Sequence, residues 1–219
     1  LKLKYWEKKF WQKANKIITV SYEDKQVIER AIGKTVEVVP NGVDCDYFAE
    51  IIKSEPKTPI VVFVGSFRWV QNKDAVKYLL NNLWPEIKKK VVNVKLRIVG
   101  NRARMYINSI NDDQIEIEDN VSDIRKVYSE ATVLLAPLRI GGGTKFKILE
   151  SMASGLPVVT TPMGVEGLGS NTNGIVIGKD DGELVEKVVE LLNNPKKREE
   201  VSKKEKEFIR QNFDWKDIS

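Results

Sequence analysis

The sequence predicts an α/β fold in which a doubly wound parallel sheet carries helices on both faces. Three observations lead there. Short β-type runs alternate with helical patterns along most of the 219 residues. The apolar runs are continuous rather than alternating, as in residues 60–64 (IVVFV), which marks strands buried on both faces. Glycine closes several of these runs, at Gly65, Gly100 and Gly178.

Residues 4–16 pattern as an amphipathic helix, with Trp6, Phe10, Ala14 and Ile17 spaced by four, four and three. A short apolar run, Ile17 to Val20, follows. Ser21 is placed to cap a helix that ends at Gly33. A strand over Val36 to Val39 stops at the turn signal Pro40-Asn41-Gly42, and the polar, Pro-punctuated residues 49–59 read as a connector.

The main domain is expected from Ile60. Its first strand is 60–65, and a helix starting at Asn72 or Asp74 is interrupted by Pro85. Strand 94–100, a helix, strand 115–117 and a short helix after Ser122 come next. Strand 132–137 precedes a helix opened by Thr144 and closed by Gly155. Strands at 157–161 and 174–178 and two charged helices, about 181–193 and 196–211, finish the chain. Their mixed charge is that of a solvated face. The expected division is 1–48, the end of a preceding domain with its linker, and 49–219, the main domain.

Composition narrows the chemistry. Hydrophobic residues at 42% and charged residues at 31% suit a globular domain with a sizeable core. The one cysteine, Cys45, cannot form an internal disulfide. No apolar run approaches the roughly 20 residues that span a bilayer, and no signal peptide is visible. The first residue is Leu1, not Met, so a piece of a longer chain is expected. The net charge of +5 sits in residues 1–16, where six lysines face the single acid Glu7. A nucleic-acid partner is therefore not expected, because such binders spread basic residues over a folded face. The absence of histidine removes the commonest general base and metal ligand, and with one cysteine a zinc site is not expected.

Open parallel sheets bind ligands beyond the carboxyl ends of their strands. There the sequence places Gly65, Gly100 and Gly141-Gly142-Gly143. Neither G-x-G-x-x-G after the first strand nor G-x-x-x-x-G-K-[ST] is present. The densest signal is residues 139–159, RIGGGTKFKILESMASGLPVV. Its glycines let backbone approach a ligand, Thr144 is placed as a helix cap, and the first turn of that helix is an anion site. Lys145 and Lys147 add positive charge. Lys147 and Glu150, three apart, share a helix face. A phosphate at the helix start and a carboxylate accepting from ribose hydroxyls would hold a nucleotide diphosphate. The alternative is a Gly-rich turn before a core helix, with Lys147 and Glu150 as a surface pair.

This stretch resembles the signature of retaining, family 4 type glycosyltransferases of the GT-B fold, E-x7-E followed by A-x-G-x-P-V-V. Glu150 matches the second Glu, and Ala153, Gly155, Pro157, Val158 and Val159 match the tail. Residues 39–44, 62–67, 118–137 and 160–168 are similar to the family's neighbouring segments, so the resemblance covers nearly the whole chain. It implies a Rossmann-like domain forming one half of a GT-B fold. It also implies that the loop and helix start hold the donor diphosphate, that Glu150 holds ribose, and that backbone near Val121 meets the base. Two departures stand out. Gly142 replaces the first Glu, and the usual Gly-Arg…Lys-Gly clamp reads Gly65-Ser66…Gln71-Asn72. Arg68, Lys145 and Lys147 are the cations available to compensate. The patterns G-S-x-x-W-x-x-N and G-G-G-T-K-x-K point to a subgroup.

The expected nucleotide-sugar site is thus Gly65, Ser66, Arg68, Gly100, Val121, Gly142, Gly143, Thr144, Lys145, Lys147 and Glu150. The implied reaction moves a sugar from a nucleotide diphosphate sugar to an acceptor hydroxyl, with no cofactor beyond the donor. The acceptor is a glycan, lipid or small molecule. A missing N-terminal domain of the same full-length chain would carry most of the catalytic groups and is needed for turnover. The alternatives are a non-catalytic nucleotide-binding module and a nucleotide-sugar epimerase of similar fold. The expected location is cytoplasmic or peripheral at the inner face of the membrane. Trp69 and Trp84 are expected to pack, and Asp44 and Asp46 to be solvated turn acids. Trp6, Phe10 and Trp11 would form an apolar face left by the missing domain, or touch a membrane.

Overall fold

The computed structural model describes residues 2–218 apart from 52, 53, 55, 109, 170, 171 and 173. Part of the connector expected at 49–59 therefore lies outside the described residues. The chain opens with α1 (Lys2–Lys13), β1 (Ile18–Thr19), α2 (Tyr22–Ile32) and β2 (Glu37–Val38), and β1 and β2 pair in parallel. Ser21 caps α2 by accepting from the Asp24 N–H, and Gly33 ends it at φ 68°, a left-handed conformation that suits glycine. No residue of α1 is buried, and its Trp6 and Phe10 stand exposed. α3 (Cys45–Ala49) straddles the expected division at 48/49, and its Cys45 and Phe48 are buried in the main core.

Six parallel strands form the main sheet: β3 (Ile60–Val64), β4 (Lys95–Val99), β5 (Ile115–Glu118), β6 (Val133–Ala136), β7 (Val158–Thr160) and β8 (Val176–Ile177). Their order is β5-β4-β3-β6-β7-β8, so the winding direction reverses between β3 and β6. This is the doubly wound, Rossmann-like α/β architecture the sequence predicts. Alternation along β3 sends Val61 and Phe63 into one core and Val62 into the other. The first core lies under α4 (Val70–Tyr78), α5 (Trp84–Lys90), α6 (Ala103–Tyr106) and α9 (Asp181–Asn193). The second lies under α7 (Ile124–Glu130), α8 (Phe146–Ala153) and α10 (Pro195–Phe213). The charged helices α9 and α10 are thus not simply solvated. Each buries an apolar stripe, and α10 also buries Glu205, whose carboxyl group accepts from the Val158 N–H at 3.2 Å.

Three local expectations need correction. The helix after β3 begins at Val70, not at Asn72 or Asp74, because Asn72 uses its side chain for tertiary bonds rather than as a cap. Pro85 does not interrupt it. A π turn over Leu79–Leu83 absorbs the missing N–H and the clash with the carbonyl one turn back, and Pro85 opens α5 as its second residue. Trp84 is buried and donates to Asp112 at 3.1 Å, whereas Trp69 is 62% exposed and does not pack. At the far end, α11 (Trp215–Ile218) packs beside Gly42 and Val43, with the Val43 N–H donating to the Phe213 carbonyl at 2.8 Å.

Candidate nucleotide-sugar site

The winding reversal leaves a crevice between the carboxyl ends of β3 and β6. On one side are the loop after β3 and the start of α4. On the other are the glycine run and the start of α8. Two contacts bind these walls together. Lys147 donates to Asn72 Oδ1 at 2.5 Å, and Arg139 pairs with Asp74 at 2.6 Å.

The backbone of the glycine run is open. A Cβ at Gly142 or Gly143 would have nothing within 4 Å, and Gly143 sits at φ 68°. Thr144 does not cap the helix. α8 begins at Phe146, its cap position falls on Lys145, and no side chain satisfies its first N–H groups. Gly167, distant in sequence, packs against this turn so closely that a Cβ there would lie 3.0 Å from Thr144 N and Oγ1. Thr144 Oγ1 is buried without a hydrogen-bond partner among the described residues. Such an atom is costly unless a ligand completes it.

The cations divide into two roles. Lys145 is buried and folds back onto the Gly143 carbonyl at 2.5 Å, and burial pulls its amine below the usual lysine range. It braces the loop and is not a free surface cation. Lys147 is half-buried, and its ammonium lies 4.8 Å from the Phe63 ring centroid. Burial lowers its pKa to about 7, with the Glu150 carboxylate opposing that shift and Lys145 adding to it. Glu150 accepts from the fully buried Tyr128 hydroxyl at 3.0 Å through Oε2. Burial raises its pKa, while Tyr128 and Lys147 pull it back. The two residues expected to share a helix face are thus both half-buried rather than an exposed surface pair.

Gly65 and Gly100 serve close packing. A Cβ at Gly100 would fall 1.9 Å from the Gly65 carbonyl oxygen, and one at Gly65 would fall 2.6 Å from Asn72 Cγ. Ser66 offers its carbonyl to Asn72 Nδ2 at 2.9 Å, which orients Asn72 towards Lys147. Val121 is partly buried in the loop between β5 and α7, on the same carboxyl edge. Arg68 lines a separate cavity with Phe67 and Lys73, with no bond to Lys147 or Glu150. Asp44 and Asp46 are exposed but engaged: Asp44 caps α3, and Asp46 pairs with Arg210 at 3.0 Å and with Lys216. Two participants, Asn72 and Tyr128, escape sequence reasoning. The final position of G-S-x-x-W-x-x-N signals Asn72, whereas nothing local in the sequence distinguishes Tyr128.

Residues 58–194 match the family described as Glycosyl transferases group 1. The chain belongs to that family. An uncharacterized glycosyltransferase, MJ1178, of Methanocaldococcus jannaschii is 26% identical over 98% of this chain and 60% of its own length. A trehalose synthase of Pyrococcus horikoshii is 25% identical over 73% of this chain and 41% of its own. This group 1 chain thus spans between 41% and 60% of the length of these curated relatives. Among solved structures, S. aureus TarM in complex with fondaparinux, α-GlcNAc-glycerol and UDP superposes with a TM-score of 0.81 at 18% identity, covering all of this chain and 45% of TarM. Anabaena HepE in complex with UDP and glucose gives 0.73 at 16%, over 94% of this chain and 61% of HepE. At such identities the likeness shows the fold, which is that of GT-B glycosyltransferases. No helix among the described residues is long and apolar enough to cross a membrane.

Proposed function

We propose that this chain is the C-terminal, donor-binding half of a retaining, family 4 type glycosyltransferase. Joined to its N-terminal domain, it transfers a sugar from a nucleotide diphosphate sugar to an acceptor hydroxyl on a glycan, lipid or small molecule. The observation that carries the reading is the wall formed by α8: uncapped N–H groups at its start, Lys147 on its first turn and Glu150 one turn further. The diphosphate lies at the helix start, beside Gly142, Gly143 and the Thr144 hydroxyl. Positive charge from the helix terminus and Lys147 stabilises the charge that grows on the leaving diphosphate. Glu150, with Oε2 held by Tyr128, takes a ribose hydroxyl through Oε1. The base lies against backbone near Val121.

Residues 1–48 belong with the preceding domain on this reading, and 49–219 form the donor domain with α3 docked on it. The exposed Trp69, Val70, Ile140 and Phe146 flank the crevice in sequence, and a second domain closing over the carboxyl edge would cover them. The exposed Trp6 and Phe10 of α1 are a second face for that domain. The enzyme works in the cytoplasm or at the inner membrane face.

Gly142 at the first Glu position favours one rival, a module that binds nucleotide without transfer. Calorimetric titration of the chain with UDP, GDP, ADP and CMP tests the reading. One nucleoside diphosphate should bind clearly more tightly than the others, and a hundredfold excess over Kd should stabilise the fold by about 2.7 kcal/mol. Absence of binding to all four would contradict the reading. Nucleotide binding without sugar transfer by the full-length chain would favour the rival.

A further inference from the structure

A cavity of about 390 Å³ opens at the carboxyl ends of β3 and β4, lined by Phe67, Arg68, Lys73, Arg102, Met105 and Tyr106. It lies with α4 and α6 on the first face of the sheet, whereas α8 packs on the second. Three of its six lining residues are cations and none is an acid. The nearby carboxylates are engaged elsewhere. Asp74 pairs with Arg139 at 2.6 Å, and Asp119 accepts from the N–H groups of Ala103 at 2.5 Å and Arg104 at 3.3 Å. Among the described residues, none of the three cations has a carboxylate partner. The concave wall thus carries three positive charges without a carboxylate partner, with the Lys73 ammonium 5.6 Å from the Tyr106 ring centroid, and holds a positive potential on its interior.

Two further features show how the cavity is built. Arg102 sits at φ 63°, a left-handed conformation costly for any residue with a side chain. It is fixed there by Asp119 on the next N–H and by the Tyr106 N–H donating to its carbonyl at 3.1 Å. Tyr106 stacks on Phe67 with centroids 5.6 Å apart and planes 22° apart, and with the exposed Met105 it gives the cavity an apolar side.

We infer that this cavity is a second anion site, which takes the phosphate group of a molecule other than the nucleotide. Arg68 and Arg102 supply forked donors of the kind that match phosphate oxygens, and Lys73 adds a point charge. The Tyr106 and Met105 side covers the organic part attached to the phosphate. The inference does not need the nucleotide assignment at α8, because its residues and its face of the sheet are different.

The test is calorimetric titration with inorganic phosphate and with phenyl phosphate, each with and without saturating UDP. It is run on the wild-type chain, Lys73→Ala and Arg102→Gly. Glycine adopts the left-handed backbone freely, so the second variant removes the charge and keeps the turn. Both probes should bind with UDP present, phenyl phosphate more tightly, and each variant should weaken them about tenfold while leaving UDP affinity unchanged. Displacement of the probes by UDP, or variants that weaken UDP equally, would place the cavity inside the nucleotide site and overturn the inference. So would the absence of probe binding at about 10 mM. If UDP fails to bind but the probes bind and the variants lose them, the function proposed above fails and this inference stands.

Discussion

Lys147 on α8 donates to Asn72 on α4 at 2.5 Å, and this bond, with the Arg139–Asp74 pair, joins the two walls of the crevice. Asn72 is in turn held by the Ser66 carbonyl and occupies the space a side chain at Gly65 would need. The family's usual clamp cations are absent after β3. Here a cation from α8 is delivered to that side of the crevice by an asparagine. Asn72→Ala should therefore weaken nucleoside diphosphate binding by about 1 kcal/mol without touching the ligand, the scale of one hydrogen bond. Calorimetric titration checks this, and an unchanged affinity in a folded variant would remove Asn72 from the site.

Lys147 should also make binding depend on pH. Its amine titrates at about 7, so it is charged below that pH and neutral above it. A bound diphosphate favours the charged form, so affinity should fall as pH rises through 7, and binding at pH 8 should take up a proton. The nucleotide's own terminal phosphate titrates near pH 6 and is common to both proteins. The comparison is therefore wild type against Lys147→Met, titrated in buffers of different ionisation enthalpy. The variant should bind more weakly by about 1.5–3 kcal/mol near pH 6 and lose the proton uptake. Equal proton uptake in both proteins would assign the titration elsewhere.

Glu150→Gln should weaken nucleoside diphosphate binding by roughly 1–3 kcal/mol and pyrophosphate binding much less, because pyrophosphate has no ribose. Tyr128→Phe should follow the same pattern more mildly, since it frees the carboxylate to rotate. Equal losses for both ligands would remove ribose from Glu150.

How much of this is legible in the sequence depends on distance along the chain. The buried strands, the Ser21 cap and the Gly33 stop are local, and the structure reproduces them. The crevice could be placed at the carboxyl edge because continuous apolar runs ending in glycine locate both sheet and edge. Lys147 and Glu150 share a face by spacing alone. The bonds that tune them do not show in any local pattern. Asn72 and Lys147 are 75 residues apart, and Tyr128 and Glu150 are 22 apart. The misplaced helix start and the Thr144 cap fail for one reason. Residues distant in sequence decide both: Lys147, with the Ser66 carbonyl, claims the Asn72 side chain, and Gly167 packs against Thr144, whose buried hydroxyl bonds nothing among the described residues.

The glycine loop should be more sensitive in backbone than in charge. Gly143→Val puts a β-branched side chain at φ 68°, where it is strained, and fills the space in front of the helix terminus. Lys145→Ala removes a brace on the Gly143 carbonyl and leaves the helix N–H groups in place. Nucleotide affinity, measured on variants whose folding is confirmed by circular dichroism, should fall further for Gly143→Val. The reverse order would make the site a cation clamp.

Glu205 offers a test of the core behind the site. Its carboxyl is buried, and burial holds its pKa well above the usual range. The folded state then binds a proton that the unfolded chain has released, so this group's contribution to stability falls as pH rises past about 4.3. Urea unfolding of Glu205→Gln should show less loss of stability with rising pH than wild type. Parallel pH profiles would show that the carboxyl is not buried.

The most direct measurement is a crystal structure of the chain with bound UDP. The account predicts phosphate oxygens about 3 Å from the first N–H groups of α8 and from Lys147 Nζ, with a ribose hydroxyl in hydrogen-bond contact with Glu150. A nucleotide seated instead in the cavity of Arg68 and Arg102, or at the amino edge of the sheet, would contradict it.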